Sequence, residues 1–265
     1  MPPTMTAGAG IASTAAGHYV RPMQRPNPQD FAQVSVWIFD LDNTLYPVED
    51  ALFPQISARM SAYLVRNLRV DEVEAARLRD HYWRHHGTTL AGLMAEHGID
   101  PHHFLDDVHD VDLTRLRPDP VLAQALARLP GRKIIHTNAD AAYAGRVLAA
   151  RGLSGFDAVL GIGETGWHPK PDRRAYDAIR AAIGFDPREA AMFEDAPRNL
   201  AVPFAQGMRT VLVGSGHDGP GHQPMPPEAA AHITHRTLDL SAFLDALAQG
   251  LAACQSGRQV LSPNP

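Results

Sequence analysis

The sequence predicts an α/β fold: a parallel sheet covered by helices on both faces and interrupted, after its first strand, by a purely helical insertion. Three observations lead there. Short apolar runs bounded by turn or charged residues recur along the chain, as strands buried on both faces require. Helical patterns separate most of these runs, and strand alternating with helix implies parallel pairing. One long interval, residues 48–116, breaks the rhythm with helical material and no convincing strand.

The strand candidates are Val34 to Phe39, Lys133 to His136, Ala158 to Ile162, Ala190 to Phe193, Thr210 to Val213 and Ala231 to Thr234. Helices are expected over Val121 to Leu129, Asp140 to Arg151, Asp172 to Ile183, Arg198 to Gln206 and Ser241 to Leu247. Within the insertion the helical stretches are Ala51 to Asn67, Asp71 to His85 and Thr89 to His97, with Asp71 a plausible N-cap and Gly98 a stop. The resulting division places the α/β core in residues 33–47 and 117–250 and the helical unit in 48–116. Residues 1–32, rich in Ala, Gly, Pro, Thr and Ser, read as a disordered N-terminal extension, and 251–265 as a loose C-terminal tail. The Gly/Pro/His-rich stretch Gly214 to Pro227 reads as a surface loop.

A chain of 265 residues that is 45% hydrophobic and 20% charged can bury a sizeable core, so neither a fibrous nor a wholly disordered protein is needed. Its formal net charge of -5 argues against a nucleic-acid polymer as partner, since phosphate-backbone binding depends on surplus Lys and Arg. Cys254 is the single cysteine, which excludes an intrachain disulfide and a thiolate metal cage, and a reducing, cytoplasmic setting is expected. No stretch approaches the roughly 20 apolar residues of a membrane span. The first residues also lack the basic start and compact apolar segment of a secretion signal.

Chemistry concentrates at the ends of the predicted strands. Asp40 and Asp42 follow the apolar run Val36-Trp37-Ile38-Phe39, and residues i and i+2 of an extended chain face one side, so two carboxylates arrive together. The carboxyl ends of strands are where open parallel sheets bind ligands. His136-Thr137-Asn138 brings a hydroxyl and free N–H groups to a strand-to-helix junction, which suits a phosphate oxygen. Lys170 stands between Pro169 and Pro171, whose rings fix the backbone around one ammonium. Glu194 and Asp195, followed by Arg198 and Asn199, supply oxygen ligands suited to a hard cation such as Mg2+. Alone, each segment has an ordinary explanation: a strand terminus, a helix cap, a solvated lysine, a structural ion pair. Together, four strand-end segments each carrying a group needed for phosphate chemistry make coincidence a poor account.

The segments, in this order, resemble the haloacid dehalogenase superfamily of phosphohydrolases. Its DxDxT motif matches Asp40-Leu41-Asp42-Asn43-Thr44, its second motif Thr137, its third Lys170 and its fourth Glu194-Asp195. The resemblance covers about Val34 to Gly214. It implies a Rossmann-like core with an inserted all-helical cap domain. It further implies a Mg2+-dependent phosphate monoester hydrolase working through an aspartyl-phosphate on Asp40, with Asp42 as acid and then base. Asp40 through its side chain, Asp42 through its backbone carbonyl, and Asp195 would hold the metal. Glu194 departs from the aspartate usual in relatives and is expected to reach the metal through water. Thr137, Asn138 and Lys170 would bind the phosphoryl group, with Asn199 supporting them from behind. Asp40 needs no activating base, because an ordinary aspartate is ionised at neutral pH.

Within that superfamily, Asp42-Asn43-Thr44-Leu45-Tyr46-Pro47, Gly87-Thr88-Thr89-Leu90, Thr137-Asn138-Ala139 and Phe193 to Leu200 resemble the pyrimidine 5'-nucleotidases. The substrate implied is a nucleoside monophosphate. Thr88 and Thr89 are the candidate cap contacts, although Thr88 equally suits a helix cap. Sugar phosphates and other small phosphometabolites, a phosphomutase, and a non-catalytic phosphate-binding regulator are the alternatives. Arg66, Arg69, Arg77, Arg79 and Arg84 give the insertion a basic flavour, but interleaved acids favour a solvated face. His81 and His85 sit at i,i+4 spacing with His86 following, a zinc-compatible pattern that no adjoining Glu or Cys completes. Gly161-Ile162-Gly163-Glu164-Thr165-Gly166 matches a dinucleotide fingerprint, but Pro169 and Pro171 follow too soon for its last glycine to open a helix.

Overall fold

Strand β1 (Val36–Phe39) is buried along its whole length. Because side chains alternate across a strand, Trp37 and Phe39 enter one apolar cluster while Val36 and Ile38 enter a second on the opposite face. This structure, a computed structural model, describes residues 25–47, 52–216 and 231–260. After β1 come helices α1 (Leu52–Leu68), α2 (Glu72–His86), α3 (Thr89–His97) and α4 (Pro101–Val108). The chain then alternates through α5 (Pro120–Arg128), β2 (Arg132–His136), α6 (Ala141–Ala150), β3 (Ala158–Leu160), α7 (Arg173–Ile183) and β4 (Ala190–Glu194). It finishes with α8 (Ala201–Ala205), β5 (Arg209–Val213), β6 (His235–Thr237) and α9 (Leu240–Val260).

The six strands form one sheet in the order β3-β2-β1-β4-β5-β6, and every pairing is parallel. From β1 the chain builds outward in one direction through β2 and β3, then returns to add β4, β5 and β6 on the other side. The reversal opens a crevice at the carboxyl ends of β1, β2 and β4, which is where ligands bind in such sheets. Helix starts are fixed by side-chain caps: Asp119, Asp140 and Asp172 accept from the first-turn N–H groups of α5, α6 and α7. Gly131, at φ +84°, is required where β2 begins, because a Cβ there would lie 2.2 Å from the Ser35 carbonyl oxygen.

Helices α1 to α4 enclose an apolar cluster of their own, including Tyr63, Leu64, Tyr82, Leu93, Phe104 and Val108. The last of them, α4, is capped by Asp100 and opened by Pro101, and the periodicity of its eight residues is too brief to read from sequence. Among the described residues no helix is long and apolar enough to cross a membrane.

Three boundaries differ from expectation. Of the disordered extension expected over residues 1–32, 1–24 lie outside the described residues, but Pro28–Phe31 form a 3-10 turn whose Phe31 is fully buried. Phe31 packs among Trp37, His235 and Phe243, a burial worth about 2–3 kcal/mol that anchors the segment. The tail expected loose from residue 251 is helical to Val260, because Leu251 continues the buried stripe Phe243, Leu244, Leu247, Ala248 of α9. Gly250 is part of that arrangement: a Cβ there would sit 2.2 Å from the Pro28 ring. The strand expected over Ala231 to Thr234 lies instead at His235–Thr237, because Thr234 and Thr210 bond through their side chains and ladder pairing starts at Val211 with His235. Residues 48–51, 217–227 of the expected loop, and 261–265 lie outside the described residues.

Candidate active site

Lys170 is fully buried, and its ammonium is the centre of the crevice. Nζ donates to Asp40 Oδ1 at 2.6 Å, Glu194 Oε2 at 2.7 Å and the His136 carbonyl at 2.9 Å. These acceptors come from the ends of β1, β4 and β2, so one side chain ties three adjacent strands. Asn138 sets the lysine's position: its side chain accepts from the Lys170 N–H at 2.8 Å and donates to the Lys170 carbonyl at 3.2 Å. Thr137, also buried, accepts from the Ala139 N–H through Oγ1, holding the turn into α6.

The acids are crowded. Carboxylate oxygens of Asp40, Glu194 and Asp195 lie within 4.8 Å of one another, facing the single ammonium of Lys170. Burial, then the charges of Glu194 and Asp42, push the Asp40 carboxyl up to about 7 against the pull of Lys170. Asp195 is raised well above the carboxylate range by burial, Glu194 and Asp40. Burial alone would draw Lys170 down, but Asp40 and Glu194 outweigh it and raise its pKa, so the lysine is charged. Asp40 thus departs from the ordinary aspartate the sequence suggests, and the shift comes from burial, which is not legible in the sequence. Three carboxylates against one ammonium is a donor set short of positive charge, and hard oxygen ligands fit a hard divalent cation. Glu194 accepts from Lys170 through Oε2 and from the Ala196 N–H through Oε1, whereas Asp195 accepts from the Asn43 amide at 3.5 Å.

Asp42 stands apart from this group. Its Oδ1 accepts from the hydroxyls of Tyr46 at 2.6 Å and Tyr143 at 2.8 Å. Burial and the Asp42 charge hold both tyrosines above their ordinary pKa, so they remain proton-bearing donors. Tyr143 stacks on the buried His109 ring, whose Nδ1 lies 2.5 Å from Asp140 Oδ2. Neither tyrosine was a sequence candidate. Tyr46 lies four residues after Asp42, but Tyr143 comes from α6 and carries no local signal. Asn199 is buried beside the acids, and its Oδ1 has no partner among the described residues.

Two adjoining cavities, of about 710 and 360 Å3, open above the site. The larger is lined by Asp40, Asp42, Thr137, Lys170, Glu194 and Asp195; the smaller is walled by apolar side chains of α1, α3 and α4. Thr88 and Thr89 line the smaller one, and Thr88 also caps α3 by accepting from the Ala91 N–H. Phe53, Ser57, Arg79, Trp83 and Arg198 border both. Arg198 lies 4.1 Å over the Trp83 ring and donates to the Gly87 carbonyl, linking core to insertion. Arg79 corrects the reading of the insertion's arginines as a solvated face. Arg66, Arg77 and Arg84 do pair with acids at the surface, but Arg79 turns inward and donates to the hydroxyls of Ser57 and Ser61. Its Nε is buried with no hydrogen-bond partner among the described residues, and burial lowers its pKa.

Comparison with known proteins agrees with this architecture. Xanthobacter autotrophicus L-2-haloacid dehalogenase, solved with chloropropionic acid covalently bound, superposes with a TM-score of 0.51 at 17% identity, covering 82% of this chain and 97% of that one. A magnesium-bound structure of Bacillus subtilis YfnB gives 0.50 at 15% identity, covering 81% and 98%. Phosphate metabolism protein 8 of Saccharomyces cerevisiae is 26% identical over 211 residues, 73% of this chain; the match spans 65% of the yeast protein's length. Residues 34–203 match the model of the haloacid dehalogenase-like hydrolases, a span that contains Asp40, Thr137, Lys170 and Asp195, and the chain belongs to that family.

Proposed function

We propose that the protein is a magnesium-dependent phosphate monoester hydrolase, acting on nucleoside monophosphates through an aspartyl-phosphate on Asp40. The observation that carries this reading is the convergence of Asp40 and Glu194 on the buried ammonium of Lys170, with the Asp195 carboxylate grouped beside them. Asp40 and Asp195, with the Asp42 carbonyl, would hold the metal, which when bound supplies the charge that lets an anionic carboxylate approach an anionic phosphate. The free oxygen of Asp40 attacks phosphorus, and the phosphoryl oxygens are met by Lys170, Thr137 and the Asn138 N–H. Asp42, held by two tyrosine hydroxyls and outside the acidic trio, protonates the departing oxygen and then takes a proton from the water that cleaves the intermediate. The apolar cavity beside Trp83 suits the flat base of a nucleoside leaving group. The relative named for phosphate metabolism supports phosphate chemistry over the dehalogenation of the fold neighbours.

A phosphate-release screen across monoesters, with and without Mg2+, tests the reading. Nucleoside monophosphates are expected to lead the panel. Absence of phosphate release from every ester, or chloride release from a 2-haloacid, would sink it.

Metal affinity is expected to depend on pH with a definite sign. The metal-free Asp40 carboxyl carries a proton below about 7, and that proton must leave when the metal binds. Mg2+ affinity should therefore fall by up to about tenfold per pH unit below 7, and the raised Asp195 carboxyl adds to the dependence in the same direction. Calorimetry in buffers of different ionisation enthalpy should find more protons released at pH 6 than at pH 9. Equal release at both would contradict the role given to Asp40.

Arg79 is the insertion's inward cation, and removing a charged hydrogen-bond donor from a substrate contact costs about 1.5–3 kcal/mol. Arg79→Met is accordingly expected to lower kcat/KM about 10- to 100-fold, mostly through KM. Unchanged kinetics would remove Arg79 from the substrate site.

A further inference from the structure

We infer that His81, His86 and Glu96 form a second metal site, of a borderline-soft kind suited to Zn2+, that ties α2 to α3. His81 Nε2 lies 3.1 Å and His86 Nε2 2.7 Å from the same oxygen of Glu96, and the three donor atoms all fall within 4.8 Å of one another. Zinc bonds of about 2.0–2.2 Å arranged tetrahedrally put ligand atoms about 3.3 Å apart, so small side-chain rotations suffice to admit the ion. Two imidazoles and one carboxylate are a recognised zinc donor set with a fourth position for water. Side-chain exposures of 36%, 26% and 36% leave room for that water.

The site is preorganised by packing. Gly92 lies against the Tyr82 ring, where a Cβ would come within 2.3 Å, so α3 packs on α2 at a distance a larger residue would not permit. Glu96 lies one helical turn after Gly92 and faces the histidines across that contact. Tyr82 itself is buried and bonds through its hydroxyl to His97 Nε2 at 2.6 Å, fixing the helix pair from the other side. His85, which the i,i+4 spacing pairs with His81, contacts the His81 carbonyl through Nδ1 instead and is not in the group. No residue is shared with the acidic trio at Lys170. Imidazole donors favour zinc over magnesium, so the two sites separate by ligand chemistry. His86 immediately precedes Gly87 and Thr88, which line the cavity, so the ion would stiffen one wall of it.

The test is a ZnCl2 titration by calorimetry of the full chain in excess MgCl2, which keeps the acidic site filled. One zinc equivalent should bind with micromolar affinity and raise the melting temperature. His81→Ala, His86→Ala and Glu96→Gln should each weaken that binding at least about tenfold, while His85→Ala and Asp195→Asn leave it unchanged. Cobalt substitution should give visible absorption that His86→Ala abolishes. Melting in EDTA verifies that each variant folds. A merely hydrogen-bonded clip would tolerate Glu96→Gln and take up no zinc. Zinc affinity unaffected by the three substitutions, or lost only with Asp195→Asn, would overturn the proposal.

Discussion

Asp40→Asn protein is expected to fold normally, to melt no lower than wild type in EDTA, and to lose hydrolysis by roughly 10⁴-fold or more. The two halves of that result come from one geometry. Asn keeps an acceptor oxygen for the Lys170 ammonium, now 2.6 Å from Asp40, and removes one of three crowded carboxylates. The Asp40 carboxyl is pushed up to about 7, so above that pH its charge is disfavoured by the fold and its replacement relieves repulsion. Without a carboxylate no acyl phosphate can form, and the Mg2+ site loses a ligand. Phosphate release followed beside thermal melting, each with and without Mg2+, checks both halves. Substantial turnover by the pure variant would rule Asp40 out as nucleophile, and a large drop in melting temperature would mean the acid is structurally required.

Lys170→Met should do the reverse to stability. Methionine fills much of the lysine's volume but leaves Asp40 and Glu194 buried with no ammonium, and uncompensated buried charge costs about 3–5 kcal/mol. For a chain of this size that is a fall of roughly 10 °C in melting temperature. The deficit has a direction in pH. Loss of the cation raises the folded-state pKa of Asp40 further, so the variant is penalised at high pH, where that carboxyl is charged, and recovers as pH falls and it takes up a proton. Melting curves from pH 5 to 9 read this directly; a deficit independent of pH would point to packing. Activity should be lost at every pH.

Much of the candidate site was legible because its groups sit where local rules apply. Asp40 and Asp42 follow a buried strand at i and i+2, and Lys170, Thr137 and Glu194 each lie at or just after a strand end or in a proline-fixed turn. Local pattern does not encode which way a helix face turns. Arg79 belongs to a helix whose other arginines are paired at the surface, and only the packing of α1 against α2 places it under Ser57 and Ser61. Tyr143 reaches Asp42 from 101 positions away, and Glu96 reaches His81 across a turn.

The sequence alone determined the alternation of strands and helices in the core, the parallel sheet, the helical interruption after β1 and the carboxylates at the strand ends. Each of these follows from hydrophobic period, turn chemistry and alternation within a few residues. Tertiary structure alone decided the upward shift of the Asp40 carboxyl, the tyrosine pair on Asp42, the inward arginine, the His–Glu cluster and the helix that runs on from Leu251 to Val260. Those depend on burial and on contacts between residues far apart in sequence, and desolvation and charge crowding exist only once the chain has closed around them.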